Sequence, residues 1–91
     1  MKYEYKPSFD KTLGKMHSIR KEEASSAISE LIDFFETGKK PRGLGLKHLK
    51  DTFWEIRFNI RDRIIFTMEN DTVSFIIAGN HDEIKRFLKR I

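Results

Sequence analysis

Hydrophobic and polar positions change their period along the chain, and the changes mark out its elements. Residues 1–6 alternate, with Tyr3 and Tyr5 on one side and Lys2, Glu4 and Lys6 on the other, which predicts a strand. Pro7-Ser8 supplies a break and an N-cap. Phe9, Leu13 and Met16 then recur at helical spacing and predict a short first helix, weakened by Gly14. His17-Ser18 is the next punctuation. From about Ile19 to Thr37, Ala24, Ile28, Leu31 and Phe35 form an i, i+4, i+7, i+11 stripe, with Gly38 placed to end that helix. The two helices read as a hairpin packed on a sheet.

Past the breaker-rich loop Lys39-Lys40-Pro41-Arg42-Gly43-Leu44-Gly45, the period becomes two. Between Phe53 and Asn59, Trp54, Ile56 and Phe58 face one way, and Glu55, Arg57 and Asn59 the other. From Arg63 to Glu69, Ile64, Phe66 and Met68 form the apolar side, with Arg63, Thr67 and Glu69 opposite. Matching the polar faces pairs Asn59 with Arg63 and Arg57 with Ile65 across a loop Ile60-Arg61-Asp62. Asn70-Asp71 is a hairpin signal, and Thr72 to Ala78 is a third, more buried strand. Asn80 with Glu83 forms a capping box for a last helix, whose apolar stripe is Ile84, Phe87, Leu88 and Ile91. The fold class is α+β in the order β-α-α-β-β-β-α: a small, twisted, mostly antiparallel sheet with a helical hairpin on one face and a C-terminal helix. With no repeat or linker, residues 1–91 read as one domain.

Composition narrows the classes. The chain has 91 residues, of which 38% are hydrophobic and 35% charged, with eight Phe and no Cys. Disulfide scaffolds, thiol catalysis and Cys-ligated zinc are excluded, and three histidines far apart make no metal site. No apolar run approaches the ~20 residues of a membrane span, and the first residues lack a signal peptide's apolar stretch. The expectation is a cytoplasmic protein with no membrane association, no metal and no cofactor. Its formal charge is +4, and the excess is concentrated. Lys39, Lys40, Arg42, Lys47, Lys50, Arg57, Arg61 and Arg63 face only Asp51, Glu55 and Asp62 between positions 39 and 63; the rest of the chain is slightly acidic. Such a field attracts phosphate backbones.

Within that span Arg57 and Arg63 share the polar face of the hairpin. With the helices on the other face, that cationic face is expected to be open. Two arginines on a sheet suit bidentate phosphate contact; equally, Glu55 and Asp62 could neutralise them as surface ion pairs. His81 begins the last helix beside this face, where an imidazole suits proton transfer or is simply an exposed helix-start residue. His48 is a loop residue or a base-stacking and phosphate contact. Phe53 is rim packing or a stacking platform. Gly43-Leu44-Gly45-Leu46-Lys47 lacks the spacing and the Ser/Thr of a P-loop.

Assembled, Leu46-Lys47-His48, Phe53-Trp54-Glu55-Ile56-Arg57 and Asp62-Arg63-Ile64-Ile65-Phe66 resemble the signature of the RelE/ParE toxin superfamily. They are most similar to its YoeB and YafQ branches. Ala78-Gly79-Asn80-His81 resembles the Gly-x-His tail of those branches. The resemblance implies the toxin of a type II toxin–antitoxin system, a metal-independent endoribonuclease that cuts mRNA on the ribosome and inhibits translation. It implies His81 as catalytic acid or base and Arg63 as the residue stabilising the transition-state phosphate. Arg57, His48, Lys47, Lys50 and Arg61 are then RNA-binding, and Glu55 is a candidate general base. The implied partners are a cognate antitoxin, the ribosome and mRNA, with operator DNA bound only through the antitoxin complex. The chain departs from the YoeB pattern in having no glutamate around Leu44 and Asp82 in place of an aromatic after His81. A ParE-like, non-enzymatic DNA gyrase inhibitor of the same fold is the alternative.

Overall fold

The computed structural model of the chain describes residues 1–41 and 43–91; Arg42 of the basic loop lies outside the described residues. Its elements are β1 (Lys2–Tyr5), α1 (Pro7–Gly14), α2 (Ser18–Thr37), β2 (Lys47–Lys50), β3 (Phe53–Arg57), β4 (Asp62–Glu69), β5 (Thr72–Asn80) and α3 (His81–Lys89). They build one five-stranded sheet in the order β1-β5-β4-β3-β2. β1 pairs parallel with β5, and the other neighbours are antiparallel. The α+β class stands as expected, with one strand more than the periodicity predicts. That strand, β2, has no clean alternation and carries an irregularity between His48 and Lys50, so its period is interrupted within four residues.

The hairpin helices bury one face of the sheet. Phe9 and Met16 and, from α2, Ala24, Ala27, Ile28 and Leu31 pack with Ile56, Ile64, Phe66, Val73, Phe75 and Ala78. Trp54 pairs with Phe66 and Ile56 with Ile64, as the alternating pattern requires. Gly38 takes φ 78° and closes α2, its N–H donating to the Phe34 carbonyl. Asn70 and Asp71 both have positive φ (52° and 61°), the geometry of a two-residue hairpin whose twist matches its strands. Ser8 does not cap α1. Lys6 occupies the cap position without a side-chain bond, and Ser8 Oγ donates to the Ile76 carbonyl at 2.5 Å, tying α1 to β5.

Two features correct the expected arrangement. First, the β3–β4 register is shifted by two residues, so that Arg57 stands opposite Arg63 and Glu55 opposite Ile65. The even shift preserves both faces. Its cause is Asp62, which belongs to β4 and is wholly buried. Arg20 of α2 donates from Nε and Nη2 to its two carboxylate oxygens at 2.9 and 2.8 Å. Asn59 Nδ2 donates to Asp62 Oδ2 at 2.7 Å, and Asn59 Oδ1 accepts from the N–H groups of Arg61 and Asp62 at 2.9 and 2.7 Å. The loop therefore closes around Asn59, and Asp62 is not a surface counter-ion of Arg57 or Arg63.

Second, the polar face is only partly open. α3 packs on β4 and β5. Phe87 meets Phe53 edge-on at 6.4 Å, and Ile65 and Ile84 are buried outside the main core. Phe53 is thus a packing residue. An open groove remains beside the N-terminus of α3.

Burial alone raises the Asp62 carboxyl; the Arg20 and Asn59 hydrogen bonds and the Arg20 charge outweigh it and hold it below its usual range. A depressed carboxylate contributes stability above the unfolded value, near pH 4, and loses it as pH falls through the lowered folded value. Arg20→Ala leaves that carboxylate buried and unpaired, with an expected loss of about 2–3 kcal/mol at pH 7. In the variant the buried carboxyl is raised instead, so the deficit shrinks below pH 4. Urea unfolding of both proteins at pH 7 and pH 3.5 checks this; a deficit equal at both pH values contradicts the assigned role of the ion pair.

Candidate functional site

The site grows from the corrected register. In an antiparallel pair, like charges directly opposite are destabilising, and Arg57 and Arg63 are so placed. One carboxylate offsets them: Glu55 Oε2 lies 3.5 Å from Arg63 Nε, with side-chain exposures of 13% and 17%. Arg57 is exposed and has no ion pair among the described residues. Its backbone N–H donates to the Leu44 carbonyl at 2.7 Å, and its side chain runs past Gly45. Gly45 has φ 64°, and a Cβ there would lie 3.2 Å from Arg57 Cβ, so glycine suits this crossing in both conformation and space.

On the other side of β4, Arg63 pairs with Gly79 and Asp62 with Asn80. The chain passes from β5 into α3 with no intervening loop. Asn80 Oδ1 accepts from Glu83 N–H, and Glu83 Oε1 accepts from Asn80 N–H, both at 2.9 Å. This is the expected capping box, and it places His81, exposed, at the first helical position. A Cβ at Gly79 would sit 3.1 Å from Glu83 Cβ and Oε1, so the strand meets the helix start closely there. Ile60, Arg61, Arg63, Asn80, His81 and Asp82 line one open groove of about 520 Å³.

The structure therefore brings Arg61, Arg63 and His81 into one groove, with Glu55 against Arg63 and Arg57 across the strand pair. Lys47 is in register with Glu55. Lys50 lies at the far end of α3, its Nζ donating to the Ile91 carbonyl at 3.3 Å. His48 is not brought to this site. It pairs with Trp54 on the helix-covered face, its ring 4.8 Å from the indole and its Nε2 2.8 Å from the Asp51 carbonyl. Sequence reading missed Arg20, Asn59 and Asp62, which hold the groove's loop. The spacing Asn59-x-x-Asp62 carried a turn signal, but nothing local announced a partner on α2. Among the described residues no group of three His, Cys, Asp or Glu side chains could hold a metal ion. The arrangement can bind an anion through guanidinium groups and move a proton through an imidazole beside it.

The electrostatics of this cluster are directly measurable. Glu55→Gln leaves two facing arginines without their counter-charge and is expected to lower stability by about 1 kcal/mol. Adding Arg57→Gln is expected to recover most of that loss, because it removes the repulsion. A double-mutant cycle on thermal unfolding reads the coupling, and strictly additive effects contradict it.

No family model matches the chain, and no curated protein matches it. Solved structures do. The chain is similar to YafQ from E. coli strain BL21(DE3), at a TM-score of 0.66 and 11% identity, covering 90% of this chain and 94% of that one. It is similar to a chain of the RelB–RelE antitoxin–toxin complex from Methanococcus jannaschii, at 0.67 and 15%, covering 92% and 96%. It is also similar to YoeB from Staphylococcus aureus, solved as a dimer, at 0.65 and 14%, covering 89% and 97%. At these identities the likeness is one of architecture: along about nine-tenths of its length this chain has the fold of the RelE, YafQ and YoeB toxins.

Proposed function

We propose that the protein is the toxin of a type II toxin–antitoxin pair and acts as a metal-independent, ribosome-dependent mRNA endonuclease that halts translation in the cytoplasm. The observation that carries this reading is the groove shared by Arg61, Arg63 and His81 beside the N-terminus of α3. The shared architecture with YafQ, RelE and YoeB toxins, and the RelB–RelE complex among them, support the toxin reading and a cognate antitoxin as partner. Operator DNA is then met only through the antitoxin complex.

The chemistry is phosphoryl transfer within the RNA. The 2′-hydroxyl oxygen attacks the adjacent phosphorus, the bond to the 5′ oxygen breaks, and a cyclic phosphate and a 5′-hydroxyl result. One proton leaves the attacking hydroxyl and one reaches the departing oxygen. His81, exposed at the groove, is the group suited to carry one of them. Arg63 and Arg61 meet the charge that grows on the non-bridging oxygens. Glu55 lies against Arg63, so its role in this reading is to orient that guanidinium in place of serving as the base. Arg57 and Lys47 extend the cationic track for the RNA backbone, with Lys50 at its margin. His48 enters only if RNA reaches the opposite face of β2.

The second reading, a gyrase inhibitor of the same fold, draws on one observation. The groove offers a single imidazole, and Glu55, the candidate general base, is already ion-paired with Arg63.

Expression of His81→Ala or Arg63→Ala is expected to relieve growth arrest, and cleavage of ribosome-bound mRNA should fall about 10²–10⁴-fold. Arg57→Ala is expected to weaken binding of a short RNA and lower the salt dependence by about one counterion. Full toxicity in both of the first two variants contradicts the nuclease reading. Inhibition of DNA supercoiling with translation intact selects the gyrase reading.

A further inference from the structure

A second groove, of about 610 Å³, runs between α2 and the β3–β4 loop and has the opposite character. Its α2 wall is one helical face: Ile19, Glu22, Glu23 and Glu30, with small Ser26 and Ala27 between them. Phe58 and Ile60 form part of the facing wall, and Arg57 is the one cation lining it among the described residues. Glu22 and Glu30 are exposed, and neither has an ion pair among the described residues. On a chain of formal charge +4, this is an acidic island.

Its apolar content is unusual too. Ile19 is 73% and Ile60 94% exposed, whereas the other large exposed hydrophobics, Met1, Tyr5 and Ile91, lie at or near the chain ends. Ile60 is not exposed because its loop is loose. Asn59 bonds two loop N–H groups, the Asp62 carboxylate and Glu23 Oε1, so the loop is held with the isoleucine projecting. A hydrophobic side chain presented on a pinned loop, facing a second one across a groove, is a pre-ordered contact surface.

We propose that this groove is the docking site for a cationic amphipathic helix of a partner protein. Charge complementarity fixes the occupant: three glutamates repel a nucleic-acid backbone and favour lysine or arginine, while Ile19 and Ile60 call for apolar side chains on the same segment. The small residues on α2 let a helix approach closely. The proposal does not rest on the nuclease reading, because no residue of α2 takes part in that chemistry.

The probe is a synthetic helical peptide with leucines on one face flanked by lysines, compared with the same peptide carrying glutamates. Both are titrated into ¹⁵N-labelled full-length protein and read at the amide resonances of residues 19–30 and 57–62, because the glutamate peptide has the cationic face to bind. The lysine peptide is expected to shift those resonances, and the glutamate peptide to leave the α2 set unmoved. Glu22→Lys combined with Glu30→Lys is expected to weaken lysine-peptide binding roughly tenfold or more, with unfolding temperature unchanged, since both side chains are exposed. Ile19→Ser is expected to weaken it separately. Equal α2 shifts with both peptides, or shifts confined to other surfaces, overturn the proposal. So does sedimentation showing that the chain dimerises through this groove, which would make a second copy the occupant.

Discussion

One carboxylate with no access to water, that of Asp62, decides how the two halves of the chain fit together. A buried charge is tolerated only when it is paired and hydrogen-bonded, and both conditions draw in distant residues. Arg20 must come from α2, which fixes the N-terminal half of that helix over the β3–β4 end of the sheet. Asn59 must fold the loop back, which makes Asp62 the first residue of β4 and puts Arg57 opposite Arg63. Near the other end of α2, Tyr3 Oη donates to Glu36 at 2.8 Å and ties the helix to β1. Burial foremost, and then this carboxylate, push the Tyr3 phenol up to about 12, so it remains a donor throughout the physiological range. A helix of 20 residues, roughly 30 Å long by its rise, is thus fastened near both ends.

Much of this architecture was legible in the alternation and helical stripes, and the exceptions have physical reasons. Strand faces follow from parity, and parity is unchanged by a two-residue slip, so the faces of Trp54, Ile56 and Arg57 could be read while their cross-strand partners could not. The slip is set by Arg20, 42 positions from Asp62, and no local pattern encodes that distance. β2 is short and irregular, so His48 could not be assigned a side; it pairs with Trp54, its ring tilted against the indole. The cover provided by α3 had a trace in the sequence: Ile65 occupies a polar-face position, and an isoleucine there needs something to pack against it. The capping box, by contrast, is a purely local interaction, and Asn80 with Glu83 formed it as the spacing implied.

The pairing of Arg57 with Arg63 has a consequence for ligand binding. Two guanidinium groups on facing strand positions, with one carboxylate paired to Arg63, hold a repulsion that an arriving anion would relieve. Glu55 supplies the counter-charge that offsets this repulsion at Arg63. α3 contributes to the same site. It covers Ile65, and its first residue, His81, lines the groove with Arg61 and Arg63.

The β3–β4 loop then separates two environments of opposite sign. Ile60 lines both the cationic groove with His81 and the acidic groove along α2, and one hydrogen-bond network centred on Asn59 and Asp62 sets its position for both. The first is charged to attract phosphate and the second to repel it, so under the two proposals nucleic acid and a cationic helix would use different groups. Arg57 is the exception, since it flanks the cationic cluster and also lines the acidic groove. A partner that engaged Arg57 from the α2 side would withdraw one guanidinium from the phosphate track without touching His81 or Arg63. Occupancy of the acidic groove would therefore act on anion binding through charge and reach, with no change of fold required.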